Sequence, residues 1–155
     1  MKIRIRAVGT PKAAYFREGV EDYLCRLQKH LPVSIEYVQA KSGRRKDRAK
    51  AVAEETSKLI DGVLERDHVV LLDEGGRMMG SRDFSKWLYK TLGTTQGSLV
   101  FCEGGAYGVS EELHKRADST ISLSEMTFPH ELCLLVLVEQ LYRAAMIRAG
   151  SSYHH

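Results

Sequence analysis

Strand-like and helix-like stretches alternate from one end of this 155-residue chain to the other. Lys2–Val8 alternates polar and apolar residues at strand spacing, and Val33, Ile35 and Tyr37 repeat the pattern. His68–Leu72, Ser98–Cys102 and Ser119–Leu123 read as three more short strands. Between them, Phe16, Val20, Leu24 and Leu27 recur at helical spacing within Pro11–His30. Val52, Thr56, Leu59, Ile60 and Val63 mark a second helix to about Glu65. A third carries Phe84, Trp87 and Leu88, with Ser81 as N-cap and Gly93 as its stop. Ser110 caps a short helix over Glu111–Ala117, which has two acids in its first turn. Pro129 opens the last helix and Gly150 ends it. Asp73–Gly80 reads as a turn region with three glycines. Ser98–Cys102 is almost wholly apolar, as in a sheet covered on both faces. The expected fold is α/β, a mostly parallel sheet with helices on both faces. No repeat or linker divides the chain, so residues 1–155 form one domain.

Bulk properties exclude several classes. A chain that is 43% hydrophobic and 28% charged is globular rather than disordered. A net charge of +3 permits an RNA or phosphate partner without demanding one. The longest apolar run, Leu132–Val138, falls far short of the ~20 residues that cross a bilayer. The charged, alternating N-terminus is no signal peptide. Cys25, Cys102 and Cys133 have neither zinc spacing nor the count of a disulfide framework, which points to buried thiols in a cytosolic protein. No His/Glu spacing suggests a metal, and no Ser/His/Asp or Cys/His pairing suggests nucleophilic catalysis.

Function concentrates in two segments. Phe101–Gly108 runs from a strand into a loop with Gly104, Gly105 and Gly108. Ser122–His130 runs from the next strand into Pro129–His130 and the most hydrophobic helix of the chain. Two adjacent strand ends with such loops form a binding crevice in an open α/β sheet. The glycines are not spaced as Gly-x-Gly-x-x-Gly and no Gly-Lys-Ser/Thr follows, which argues against nicotinamide or triphosphate ligands. The loop is either a plain turn or a seat for a ligand without phosphates.

The last helix is apolar on every side from Leu132 to Val138, so it needs partners on more than one face, and a second subunit is a natural one. His130 is either a capping residue or a polar contact in the crevice. Glu139 and Arg143 stand four apart, the spacing of an ion pair within a helix; Arg143 could also face an anion. The Arg44–Arg48 cluster, without interleaved aromatics, reads first as a solvated loop and second as a nucleic-acid contact. Tyr153–His154–His155 is either a frayed tail, the stub of an affinity tag, or part of a site.

Taken together, Met1–Thr10, Leu72, Gly104–Gly105, Ser122–His130, Glu139–Ala144 and the closing Tyr153–His154 resemble the RlmH family of SPOUT methyltransferases, over essentially the whole chain. The resemblance implies a homodimer with a C-terminal trefoil knot, which the ordinary rules of chain connection would not suggest. It implies S-adenosylmethionine as co-substrate, no metal, and cofactor contacts at Leu72, Gly104, Gly105, Leu123, Ser124, Glu125, Met126, Thr127 and Phe128. The implied reaction is methylation of N3 of a pseudouridine in helix 69 of 23S rRNA, within assembled ribosomes of the cytoplasm. Candidates for handling the imide proton and its developing charge are His130, Arg143, Tyr153 and His154. The chain departs from the family at Glu103, where an aliphatic residue is usual, and at Leu134, where arginine is usual. Those departures keep a non-catalytic, RNA- or ribosome-binding dimer of the same fold as the alternative.

Overall fold

A computed structural model of the chain describes residues 2–39 and 47–154. Its elements, in order, are β1 (Ile3–Val8), α1 (Ala14–Leu27), β2 (Val33–Val38), α2 (Arg48–Ile60), β3 (His68–Met78), α3 (Ser81–Thr94), β4 (Leu99–Glu103), α4 (Glu111–Arg116), β5 (Ser119–Ser122) and α5 (His130–Arg148). The five strands form one sheet in the order β2-β1-β4-β3-β5, and every pairing is parallel. The expected class is therefore what the chain adopts.

Both faces of the sheet are covered, which explains why β4 is buried at every position. Leu99 and Phe101 of β4 join Val70 of β3 in a core with Val20 and Leu27 of α1, Phe84 and Leu88 of α3, and Leu134, Leu137, Val138 and Leu141 of α5. Val100 and Cys102 point the other way, into a smaller core with Leu59 of α2 and Leu113 of α4. On that second side, Arg4 and Arg6 of β1 are clasped by Glu36 of β2, at 2.9 and 2.5 Å. The Arg4 guanidinium, hydrogen-bonded to Glu36, holds that carboxyl below its usual range. The charged alternation at the N-terminus is thus a strand whose basic side chains cover the smaller core.

The structure revises several boundaries. β3 does not end at Leu72. Its pairing with β5 skips from Leu72 to Arg77, so Asp73–Gly76 bulges out and the strand resumes to Met78. Asp73 Oδ1 accepts the Gly75 N–H at 2.8 Å within this excursion. Gly76 permits the return, because a Cβ there would stand 2.6 Å from the Ile121 carbonyl carbon. Ser81 is not an N-cap; Gly80 holds that position, and Ser81 Oγ donates to Gln140 Oε1 of α5 at 2.7 Å. Ser110 does occupy the N-cap of α4 but makes no side-chain capping bond. Gly93 lies inside α3 rather than ending it. Arg48 belongs to α2, not to a loop, while Arg44, Arg45 and Lys46 of the same cluster lie outside the described residues, as does His155. Gly150, at φ +67°, turns the chain out of α5 as expected. Of the three thiols, Cys102 is buried but Cys25 is exposed, against expectation. Leu134 is 1% exposed, so this departure from the family pattern fills the core instead of altering a surface charge.

Candidate functional site: a cavity at the ends of three parallel strands

The excursion of β3 at Asp73–Gly76 and the C-terminal ends of β4 and β5 open onto a cavity of about 970 Å³. Leu72, just before the β3 excursion, and Glu103 and Ser122, the last residues of β4 and β5, line it together. Its apolar wall comes from Leu72, Ile121, Leu123 and Phe128. Gly104, Gly105, Ala106 and Gly108 supply backbone, and Pro129, His130 and Cys133 bring in the first turn of α5. Ligands of open parallel sheets bind in this location, because the loops that follow the strands diverge there.

Local bonds fix the two loops. Ser122 Oγ donates to the Ser124 carbonyl at 2.8 Å, and Ser124 Oγ accepts the Met126 N–H at 2.9 Å. Gly108 N–H donates to the Gly105 carbonyl at 3.0 Å, closing a tight turn that Gly108 enters at φ +78°. The glycines here serve the turn first. A Cβ on Gly104 would meet Val109 Cγ1 at 2.6 Å, and one on Gly105 would meet Glu55 Oε2 at 2.9 Å. Glu55, on α2, was not foreseen from sequence; only the folded chain brings it to this loop.

The electrostatics of the described lining disfavour one ligand class. Asp73, Glu74 and Glu103 are in the wall, and no Lys or Arg is among the described residues that line it. A phosphate group would meet carboxyls without a counter-charge, which agrees with the absence of a phosphate-binding motif. Glu103 is 5% exposed, and its Oε1 has no hydrogen-bond partner among the described residues. Burial raises its carboxyl well above the usual range. Burial likewise pushes the Cys133 thiol up to about 11, so it is inert at neutral pH.

A second polar cluster sits at the other end of α5. Arg143 Nε and Nη2 donate to Glu139 Oε1 at 3.0 and 2.5 Å, which is the ion pair expected from their spacing. The Tyr153 ring lies 4.8 Å from the Arg143 guanidinium and edge-on to Tyr142. Tyr153 Oη is 3.4 Å from Tyr23 Oη of α1. His154 Nδ1 is 3.5 Å from Arg143 Nη1. Tyr153 is therefore folded onto α1 and α5 and His154 onto α5, not frayed. Burial, with the hydrogen bond to Tyr23 behind it, raises the Tyr153 phenol, so the ring keeps its proton at neutral pH.

The residues singled out from sequence thus divide. Leu72, Gly104, Gly105, Leu123, Ser124, Met126, Thr127, Phe128 and His130 come together around the cavity. Glu125 is exposed and not part of the lining. Arg143, Tyr153 and His154 form the distant cluster. Thirteen helical steps separate His130 from Arg143, about 20 Å at 1.5 Å per residue. Tyr23, Tyr142 and Glu139 complete the cluster; Tyr23 has no local signal in the sequence beyond its place on a helix.

Comparison with known proteins gives these two sites a context. The family model described as "Predicted SPOUT methyltransferase" matches residues 1–154. The chain belongs to the SPOUT methyltransferase family. Among relatives in this family, a protein of Cytophaga hutchinsonii named "Ribosomal RNA large subunit methyltransferase H" is 38% identical over 157 aligned positions, covering 100% of both chains. A protein of the same name from Solidesulfovibrio magneticus is 39% identical, covering 99% of this chain and 98% of its own. The solved structure of a tRNA (m1G37) methyltransferase from Aquifex aeolicus superposes with a TM-score of 0.60 at 17% identity, over 92% of this chain and 70% of that one. At that identity the likeness is one of fold. Within this SPOUT chain, no helix among the described residues is long and apolar enough to cross a membrane.

Proposed function

We propose that this SPOUT methyltransferase transfers the methyl group of S-adenosylmethionine to N3 of a pseudouridine in helix 69 of 23S rRNA, in the assembled ribosome of the cytoplasm, as a homodimer. The C-terminal trefoil knot implied by the resemblance belongs to the same reading. The cavity between the β3 excursion and the ends of β4 and β5 carries it. The site is roomy, apolar where a base can stack, and lined by carboxyls with no Lys or Arg among its described residues. That chemistry suits a cationic ligand without phosphates. Full-length relatives named as ribosomal RNA methyltransferases support the substrate class.

S-adenosylmethionine, when bound, supplies a methyl group on a positively charged sulfur. Leu72, Leu123 and Phe128 would hold its apolar portion, and the backbone of Gly104, Gly105 and the 124–127 segment would serve its polar edges. The chain's main task is alignment of nucleophile and methyl group. The imide nitrogen must also lose its proton, so the enzyme has to stabilise a developing anion. Arg143 is a permanent cation and fits that role. Tyr153, kept protonated, buttresses Arg143 and its Glu139 anchor. His130 and His154 are the candidates that can accept the proton.

The separation of the two clusters supports a dimer. Leu132, Val136, Gln140 and Arg143 lie at helical spacing on α5, and all four are only half-buried in the single chain. Antiparallel pairing of two such helices would set the tail cluster of one subunit against the cavity of its partner. Arg48 at the start of α2 stands 4.7 Å from the ring of Tyr107, which lies in the glycine loop. That contact brings a cation and an aromatic ring to the loop at the cavity, as an RNA substrate would use them.

Transfer of labelled methyl to ribosomes lacking the modification tests the reading, with isolated subunits and free rRNA in parallel. Label at N3 of a pseudouridine in helix 69 of intact ribosomes supports it. Cofactor binding with label on no ribosomal substrate overturns the substrate. Absence of both binding and label favours the non-catalytic dimer.

A further inference from the structure

Glu103 is the last residue of β4 and forms part of the cavity wall. The alternation along β4 turns it toward the α5 side of the sheet, with Leu99 and Phe101. It is 5% exposed, and its Oε1 finds no hydrogen-bond partner among the described residues. A buried carboxyl without a partner is costly in its charged form and is rare without a reason. A structural carboxyl would be paired, as Asp67 is by the N–H groups of Leu64 and Ser98. Glu103 instead keeps a buried, unpaired oxygen beside a ligand-sized cavity.

We propose that Glu103 is a charge sensor: when a ligand carrying a positive group fills the cavity, Glu103 releases its proton to solvent and pairs with that group as a carboxylate. The O–H bond of the acid breaks, the proton passes to buffer, and the site keeps its net charge low throughout. This rests on the methyl-donor reading of the cavity. It extends that reading by making recognition of the donor depend on its positive charge.

The surroundings leave this task to Glu103. Cys133 and His130 of α5 and Tyr37 of β2 are the titratable neighbours on its side of the sheet. Glu21 of α1 is close enough to raise the Tyr37 phenol by its negative charge. Across the cavity, Asp73 and Glu74 of β3 do the same, and Glu55 of α2 abuts the neighbouring Gly105. Burial raises the acid's pKa in the empty site and so favours its protonated form. A positive ligand reverses that preference, because an opposite charge at short range favours the ionised form.

The positive group can be the sulfonium or the α-ammonium of S-adenosylmethionine. Calorimetric titration of the full-length protein with S-adenosylmethionine and with S-adenosylhomocysteine, in two buffers of different ionisation enthalpy and over a pH series, tests the proposal. The expected result is release of close to one proton per donor bound below the pKa of the free site. Affinity for the donor should rise about tenfold per pH unit in that range. Glu103→Gln, which copies the neutral acid in shape, should lose both effects, and any release that persists in it belongs to other groups. Release with the donor alone identifies the sulfonium, and release with both ligands identifies the ammonium; either supports the proposal. Binding with no buffer dependence, or with the same dependence in Glu103→Gln, overturns it while leaving the methyl-donor reading intact. Absence of any binding heat in the unmodified protein, with equilibrium dialysis also negative, overturns both.

Discussion

Tyr153 donates its hydroxyl to Glu139 Oε1 at 3.2 Å, and the same oxygen receives two N–H groups of Arg143. One carboxylate oxygen therefore holds the C-terminal tail and the guanidinium in a fixed relation. Without Glu139, the Arg143 side chain would keep its charge but lose its aim.

Replacing Glu139 by alanine should then lower methyl transfer at least tenfold while leaving donor affinity within about twofold. Thermal stability should fall by about 1–3 kcal/mol, the cost of leaving a half-buried guanidinium and phenol without their acceptor. Deleting Tyr153–His155 should abolish transfer with donor binding intact. Transfer assays and calorimetry on the two variants give the comparison, and full activity in the truncation would remove the tail from the mechanism.

Glu103 should shape the pH dependence of folding in the ligand-free protein. Its folded pKa lies above the unfolded value of 4.5. The folded state therefore binds the extra proton, and stability is complete below pH 4.5 and declines as pH rises through the folded pKa. The slope approaches about 1.4 kcal/mol per pH unit within that window. Urea denaturation between pH 5 and pH 8, as a rough working range, should show Glu103→Gln gaining on the parent as pH rises. Parallel curves would mean that Glu103 is already ionised in the fold.

Asp67 should behave in the opposite sense. Burial alone would raise its carboxyl, but the N–H groups of Leu64 and Ser98, with Arg4 nearby, hold it below the usual value. Its contribution is present above pH 3.8 and is lost as pH falls through the lower folded pKa. Asp67→Asn should cost about 1–3 kcal/mol at neutral pH, with the difference from the parent shrinking in acid.

Gly76→Ala tests the β3 excursion. The added methyl would press on three backbone atoms of Ile121, at 2.6 to 2.8 Å, and backbone has little room to yield. A loss of about 1–3 kcal/mol is expected, as for other overpacked sites. Donor affinity should weaken as well, because Ile121 and Asp73 both line the cavity. Unchanged stability would show that β3 and β5 can part there without cost.

Much of this was legible in the chain because the signals were local. The apolar run into Cys102 and the periodicity of Val20, Leu24 and Leu27 depend only on neighbours in sequence. The cavity wall from Leu123 to Phe128 was also marked, by a strand end followed by a loop and Pro129. What escaped depended on distant packing. The 73–80 segment, with its three glycines, reads as a turn, and nothing nearby reveals that Arg77 and Met78 pair again with β5. Ser81 has the right identity for a cap, yet Gln140 of α5 offers its hydroxyl another partner. Glu55 and Tyr23 reach their clusters only through helix packing. The burial of Glu103 follows from the strand continuing one residue further than its apolar run.

Ile121 is the register partner of both Leu72 and Arg77. The four residues between them form a loop whose two ends are riveted to one point on β5. Such a loop has almost no independent freedom: to move, it must break the ladder on one side or the other. Asp73, Glu74 and Gly75, which face the cavity, are therefore held in place before any ligand arrives, and little ordering entropy remains to be lost on binding. The same riveting makes this segment intolerant of changes in length, so inserted residues should be far less welcome here than in the 28–32 turn that leads into β2 at the opposite edge of the sheet.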